Sequence, residues 1–400
     1  MSGLGPFGPA PTLAVAVSGG PDSLALALLA AAWARARGGE ATALIVDHGL
    51  RAASAAEAAL TAQRLAIVRI ASRILTLADL APGPALADRA RRARHTALEA
   101  ACREAGIVHL LFGHHAADQA ETLLMRHLSG SGPAGLAGMA ALTETHGIRR
   151  LRPLLRIPAA RLRATLQAAG LDWIEDPSNT DPAALRARIR ALRADPTGAH
   201  PATTTLTEIA AAQARARAAT DAAIAAELAA RAELRPQGYG RLTPGPIAPE
   251  SLAALLRTLS GRPYGPAPAQ VAALAAGLRP ATIAGVRILR AGPDFLLARE
   301  PAAMAPPVPA RQGAVWDHRF RLASPIGENL TLGALGPDAA RLRRLSPLPA
   351  AVLRTLPALR RGEELVTVPH LSYATDGSDP CTQIVFSPPS PAAGAPFRGA

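Results

Sequence analysis

Short, continuously apolar runs alternate with longer stretches of helical period over the first third of the chain. "TLAVAV" (12–17), "ATALIVD" (41–47), "AIVRIAS" (66–72) and "IVHLLFG" (107–113) read as strands. Between and after them, helices are predicted from Pro21 to about Arg37, around 53–65, over 85–105 with a stop at Gly106, and from Ala116 to Leu128. Strands that are apolar throughout, separated by helices, predict a doubly wound, mainly parallel α/β sheet covered on both faces. Ligands of such sheets bind beyond the C-terminal ends of the strands. Three polar loops begin there: "SGGPDS" (18–23), "VDHGLR" (46–51) and "GHHAADQAET" (113–122).

The pattern changes downstream. A glycine-rich stretch, "SGSGPAGLAGM" (129–139), precedes a basic helical segment over 149–193, and an alanine-rich helix at about 203–234 is of the kind that spaces domains. Two short helices follow, and "ATIAGVRILRAGPDFLLARE" (281–300) reads as a hairpin turned at Gly292-Pro293. A proline-rich linker (301–312) leads to short strands and a loose Pro/Ala/Gly tail. The expected domains are therefore an α/β domain at 12–195, a helical linker with a second domain at 203–300, a small α+β domain at 313–386 and a flexible tail at 387–400.

At 400 residues and 49% hydrophobic content the chain can bury two or three cores. Only 3% of residues are aromatic, which weakens any reading based on base stacking. The net charge is +13, and all 43 basic residues are arginine. A polyanionic partner and a GC-rich codon bias both produce such an excess, so its distribution has to decide. Between Arg149 and Arg193 ten arginines face four acids, a local charge of +6 in 45 residues, which codon bias alone does not concentrate. On the helix near 184–194, Leu185, Ile189 and Leu192 form an apolar face expected to dock on the domain. Arg186, Arg190 and Arg193 form another, expected to meet phosphates. Arg89, Arg91, Arg92 and Arg94 make a second basic stretch, read either as a solvated helix face or as the other border of one groove for a polyanion. Cys102 and Cys381 are too few and too far apart for a disulfide framework or a cysteine metal module. The start of the chain has no basic leader, and the apolar run from Leu24 to Ala34 is too short to span a bilayer, so a cytoplasmic protein without membrane anchoring is expected.

The loop Ser18-Gly19-Gly20-Pro21-Asp22-Ser23 has the makings of a phosphate cradle: glycines that leave room for an anion, a proline at the first helical position, and two hydroxyls. Taken alone it also reads as an ordinary turn. Without lysine there is no Walker loop, and the spacing is not that of a dinucleotide fingerprint. Ser-Gly-Gly-x-Asp-Ser after a first strand resembles the pyrophosphate loop of the N-type ATP pyrophosphatases, whose domain is adenine nucleotide alpha hydrolase-like.

Further motifs narrow the resemblance. "VDHGLR", "ARRARHTALEAAC" (90–102), "GHHAADQAETLLMRHLSGSGPAGLAGM" (113–139), "RPLL" (152–155) and "LDWIEDPSNTDPAALRARIR" (171–190) occur in the order and approximate spacing of the tRNA(Ile)-lysidine synthases, and "PALRRGEELVTVPHLSY" (357–373) is similar to the end of that family's terminal domain. The resemblance implies adenylation at C2 of the wobble cytidine of a CAU-anticodon isoleucine tRNA by ATP, then displacement of AMP by free L-lysine. It implies that Ser18, Gly19, Gly20, Pro21, Asp22 and Ser23 bind ATP with Mg²⁺, and that Asp47 sits by the nucleotide or the lysine. Asp118 and Glu121, three apart on one helix, offer carboxylates to Mg²⁺ or to an ammonium group, with Asp118 the metal ligand and a Glu121–Arg126 pair the structural alternative. Of the adjacent histidines, His115 is the one expected to reach the site. RNA contacts fall to Arg89, Arg92, Arg152, Arg186, Arg190 and Arg193, the 203–300 region is expected to help bind tRNA, and a homodimer is compatible with the pattern. Two positions depart from the family: Ala117 stands where an aspartate is usual, and Ala187 where an asparagine is. A catalytically impaired tRNA-binding relative and another PP-loop tRNA-modifying enzyme are the alternatives.

Overall fold

The structure, a computed structural model, describes residues 1, 3–50, 53–77, 83–145, 147–175, 184–375 and 382–400. Arg51, the "DPSNTDP" part of the last motif (176–182) and Cys381 lie outside them. The chain divides into two compact units, Met1–Ala219 with Pro396–Ala400, and Thr220–Ala395.

The first unit is built on β1 (Thr12–Val17), α1 (Pro21–Arg35), β2 (Glu40–Asp47), α2 (Ser54–Ile67), β3 (Ala71–Thr76), α3 (Leu86–Glu104), β4 (His109–Phe112) and α4 (Ala116–Leu128). The short α5 (Pro133–Leu136), the hairpin β5 (Leu142–Thr145) and β6 (Ile148–Leu151), α6 (Ala159–Ala168) and α7 (Leu185–Arg193) follow. The long α8 (Pro201–Arg231) begins in this unit. The sheet order is β3-β2-β1-β4-β6-β5, parallel except for β5 against β6. Strand order reverses between β1 and β4, which makes their C-terminal ends the crevice of the fold.

Alternation along the strands sorts the core into two layers. Leu13 and Val15 of β1 join α1 and α6 on one face, whereas Ala14 joins Leu98 and Cys102 of α3 on the other, with Phe112. The doubly wound reading holds, with one shift. The apolar run at 66–72 begins as the end of α2, turns at Arg69 in the left-handed region (φ 56°), and the strand itself is Ala71–Thr76. Leu65 and Ile70 are buried by the helix end and the turn, and β3, a mostly exposed edge strand, has no continuous apolar signature of its own.

In the second unit β7 (Ala232–Arg235), β8 (Tyr239–Leu242), α9 (Pro249–Ser260), α10 (Pro268–Ala275), β9 (Ala281–Ile283), β10 (Val286–Ala291) and β11 (Asp294–Arg299) form a helix-backed antiparallel sheet. The hairpin at Gly292-Pro293 is present in full register, Ala291 opposite Asp294. Two smaller sheets follow. One joins β12 (Val308–Pro309), β15 (Thr331–Ala334), β16 (Pro357–Arg361), β17 (Glu364–Val368) and β18 (Tyr373–Ala374). The other joins β13 (Val315–Trp316), β14 (Phe320–Leu322) and β19 (Ile384–Phe386). The last residues are placed against the first unit, where the Ala141 N–H donates to the Arg398 carbonyl (2.7 Å) and Arg217 lies over the Phe397 ring (4.3 Å).

Candidate active site

A cavity of about 490 Å³ opens in the first unit at the C-terminal ends of β1, β2 and β4. Ser18 and Gly20–Ser23 form one wall, His48, Ser54 and Glu57 a second, and Arg91, Arg94, Phe112 and His114 a third. Asp118, Ile174, Arg186 and Arg190 close it.

The glycine loop is braced from inside. The Ser18 N–H donates to Ser23 Oγ (3.1 Å), and that hydroxyl donates to the Gly20 carbonyl (3.0 Å). Ser23 therefore stitches the loop instead of offering its proton to a ligand, while Pro21 starts α1 and leaves the first-turn amides and the positive helix end to an anion. Gly19 has φ +85°, and its carbonyl accepts the Ile174 N–H (2.9 Å). A Cβ on Gly19 would lie 2.6 Å from Thr61 Oγ1 and 3.1 Å from Ile174 Cδ1. Gly19→Ala is expected to weaken ATP binding at least ~tenfold, since the left-handed backbone alone costs about 1–2 kcal/mol for a residue with a Cβ; equilibrium binding at unchanged affinity would show that the loop does not hold the nucleotide.

Asp47 is turned inward. Its Oδ1 accepts from the Ser54 hydroxyl and from the Gly49 N–H (3.0 Å), and these bonds hold its carboxyl below the usual carboxylate range. Through Oδ1 it braces the β2–α2 turn, and Val46, His48 and Ser54 on either side of it line the cavity.

The start of α4 carries the densest polar network. His115 is its N-cap: Nδ1 accepts the Ala117 N–H (3.2 Å), and Asp118 Oδ2 accepts the His115 N–H (3.0 Å), a reciprocal capping box. His115 Nε2 stands 3.5 Å from Asp22 Oδ2 and 3.6 Å from Asp118 Oδ2. Burial opposes its imidazolium, but Asp22 and Asp118 outweigh burial and its pKa lies above the ordinary histidine value. Burial opposes ionisation of Asp118 as well, and the two histidines reverse that, so its carboxyl titrates below the usual range. His114 is the histidine that lines the cavity, and burial pushes its pKa down to about 4, against the Asp118 charge, which leaves it neutral at pH 7. His115 thus positions carboxylates, and His114 faces the ligand space.

Glu121 is fully buried and pairs with α7 instead of Arg126. Arg190 Nε donates to its Oε1 (2.8 Å) and Nη2 to its Oε2 (3.1 Å), with Arg186 Nε at 3.7 Å and Arg193 Nη1 at 3.8 Å. The amphipathic reading of α7 is inverted as a result. Its arginine side docks on α4 around one carboxylate, while Leu192 is 86% exposed and only Ile189 is buried. Arg193 braces the α4 end and the start of α8 through the Ala117 carbonyl and Thr203. Arg152 is no surface contact either, since it is largely buried, donates to the Ala140 carbonyl (2.8 Å) and lies 5.9 Å from the Phe112 ring. On α3, Arg91 and Arg94 line the cavity, and Arg89 and Arg92 are not among its lining residues. Periodicity alone, i to i+3, would have separated that pair from its neighbours.

The two departures from the family pattern differ in consequence. Ala117 is buried, and a Cβ on Gly198 would lie 3.6 Å from its own, so its side chain packs on the 195–200 loop and is not part of the cavity lining. Ala187 does line the cavity and presents a methyl group. Among the described residues no group of three or more His, Cys, Asp or Glu side chains is arranged to hold a metal ion. The donor set fits Mg²⁺ through Asp22, one hard oxygen ligand beside a phosphate loop, as Mg²⁺ is usually held by one or two carboxylates together with substrate phosphates. Glu121 is taken by guanidinium groups and Asp118 by the capping box.

The parallel sheet, the switch-point crevice and the Ser-Gly-Gly-x-Asp-Ser turn define an ATP-binding domain of the PP-loop class, and the PP-loop domain family model matches residues 6–193. A tRNA(Ile)-lysidine synthase of Bradyrhizobium diazoefficiens is 49% identical over 185 residues, 46% of this chain and 51% of the relative. That alignment spans about half the relative's length, but others run further: those of Rhodopseudomonas palustris (40% identity, 76% of this chain and 93% of the relative) and Ruegeria pomeroyi (36%, 89% and 88%) carry the same name. The chain belongs to the tRNA(Ile)-lysidine synthase family.

Proposed function

We propose that this protein is a carbon–nitrogen ligase that adenylates C2 of the wobble cytidine of a CAU-anticodon isoleucine tRNA with ATP and then joins free L-lysine there, releasing pyrophosphate and AMP. The observation that carries the reading is one cavity that unites the braced glycine loop with the α4 and α7 network, in a chain that matches its relatives beyond the ATP-binding domain. The first-turn amides of α1 receive the pyrophosphate, and Asp22, held beside His115, is the residue that would carry Mg²⁺, whose charge neutralises the phosphates. Neutral His114 supplies an unprotonated nitrogen that accepts the proton the amine loses on attack. Cys102 is buried in the sheet core and burial pushes its thiol up to about 11, so it is no sulfur nucleophile for a thiolation reaction. The impaired-relative alternative rested on Ala117, whose side chain packs outside the cavity lining.

The test is incorporation of labelled lysine into CAU-anticodon isoleucine tRNA with ATP and Mg²⁺. Stoichiometric AMP and one lysine per tRNA are expected. Intact tRNA binding without incorporation would overturn the reaction and favour a tRNA-binding relative.

A further inference from the structure

The third cavity wall carries a charge that nothing else in the reaction uses. Arg91, Arg94, Phe112, His114 and Arg186 line the cavity there, and Arg150 and Arg152 lie close enough to act on the His95 charge. The His95 ring lies 5.1 Å and the His114 ring 6.1 Å from the Phe112 ring. Most of these cations are answered: Arg150 Nε by Glu99 (2.6 Å), Arg152 by the Ala140 carbonyl, Arg186 by Thr122 (3.2 Å) and Glu121. Arg91 and Arg94 are answered least: among the described residues neither forms a hydrogen bond or a close ion pair, Asp88 acts on Arg91 only at longer range, and buried Arg94 Nε, like Arg152 Nε, has no acceptor. Like charges this close repel one another and suppress their neighbours: burial and the arginines push His95 down to about 4. Two guanidinium groups that line a cavity with so few acceptors, Arg94 partly buried and Arg91 exposed at its rim, present donors to an anion.

From this wall we infer a second anion subsite, formed by Arg91 and Arg94 of α3, that takes a phosphodiester of the RNA strand next to the reacting nucleotide. The choice of RNA over the ATP phosphates comes from position. The glycine loop leads into α1, which packs on one face of the sheet with Leu13 and Val15, whereas α3 packs on the opposite face with Ala14 and Leu110. ATP phosphates held at the start of α1 leave the α3 wall to a second anionic group, and the planar fork of arginine suits a phosphate. The inference rests on tRNA being the substrate.

Arg91→Gln and Arg94→Gln, measured separately, are each expected to weaken tRNA binding by about tenfold and to lower the slope of log K against log salt by about 0.7, the value for one phosphate of a single strand. ATP affinity, measured without tRNA, is expected to stay within twofold. Arg94→Lys keeps the charge and is expected to recover the slope. If Arg94→Gln does not fold, Arg91→Gln, at an exposed position, carries the test alone. Weaker ATP binding with unchanged tRNA binding would assign the wall to the nucleotide and overturn the inference, as would no change in either, or absence of tRNA binding in the unaltered protein. These are binding measurements, so failed lysine transfer with a normal salt response overturns the proposed reaction and leaves the subsite standing.

Discussion

Glu121→Ala is expected to lower stability by about 2–3 kcal/mol and to abolish ATP-dependent lysine incorporation. The loss is less than the about 3–5 kcal/mol for a pair buried on both sides, because the Arg190 and Arg186 side chains are 41% and 36% exposed and solvent screens them. Glu121 has no exposed surface, and its two oxygens meet both ends of the Arg190 fork while Arg186 and Arg193 approach within 4 Å. Without it, three guanidinium groups between α4 and α7 keep only the looser carboxylates of Asp118, 3.6 Å from Arg190, and Asp195, 3.6 Å from Arg193, and their mutual repulsion loosens α7 from the cavity. Glu121→Gln keeps the shape and removes the charge; its amide nitrogen turns toward a guanidinium, so most of the loss is expected there too. Chemical denaturation monitored by helical signal checks this. A change below about 1 kcal/mol would mean that α7 is held by other contacts, as only surface pairs are worth that little.

Asp317→Ala is expected to have a larger effect on the second unit, about 3–5 kcal/mol, as for a pair buried on both sides. Asp317 sits almost fully buried between two arginines: Arg299 Nε and Nη2 donate to its two oxygens (3.0 Å each), and Arg319 Nε donates to Oδ2 (2.9 Å). The Ala305 N–H is a further donor (3.0 Å), and Arg319 is held in turn by the Gly238 carbonyl (3.1 Å). The alanine variant leaves two buried cations without an anion. Asp317 also has φ +49°, a region aspartate tolerates better than most residues, so alanine adds backbone strain. Burial works against its ionisation, but the arginines prevail and hold its carboxyl below the usual range. Its contribution is therefore complete above the unfolded aspartate pKa, near 3.9, and is lost as pH falls toward the lower folded value. Comparing the stabilities of the wild type and Asp317→Asn by chemical denaturation at a series of pH values across that window checks the sign. The difference between the two is expected to shrink as pH falls through that window, and a difference that grows there would contradict the assignment.

The parts of the site that were legible in the sequence are local. The strand, glycine turn and helix from Thr12 to Arg35, the α4 start at Ala116 and the Gly292-Pro293 hairpin each follow from a few adjacent residues whose backbone preferences agree. The misread parts are those where a side chain is claimed by a distant partner. Asp47 Oδ1 is claimed by Ser54 and Gly49, a bracing role that its position at the strand tip did not announce. Arg152 looked like a surface cation until the Ala140 carbonyl and Phe112 enclosed it. On α7 the apolar residues predicted the docked face, yet one carboxylate 69 residues away outweighed two leucines.

By itself the sequence determined the order of elements, the doubly wound sheet and the phosphate loop, because alternation, apolar runs and glycine turns act over a few residues. Tertiary structure alone decided which charges are spent and which stay open. Glu121 consumes Arg190, His115 consumes Asp118, and Arg91 with Arg94 is left facing the cavity. The reason is electrostatic: a buried charge is governed by whatever opposite charge the fold brings within a few ångströms, and that distance bears no relation to separation along the chain.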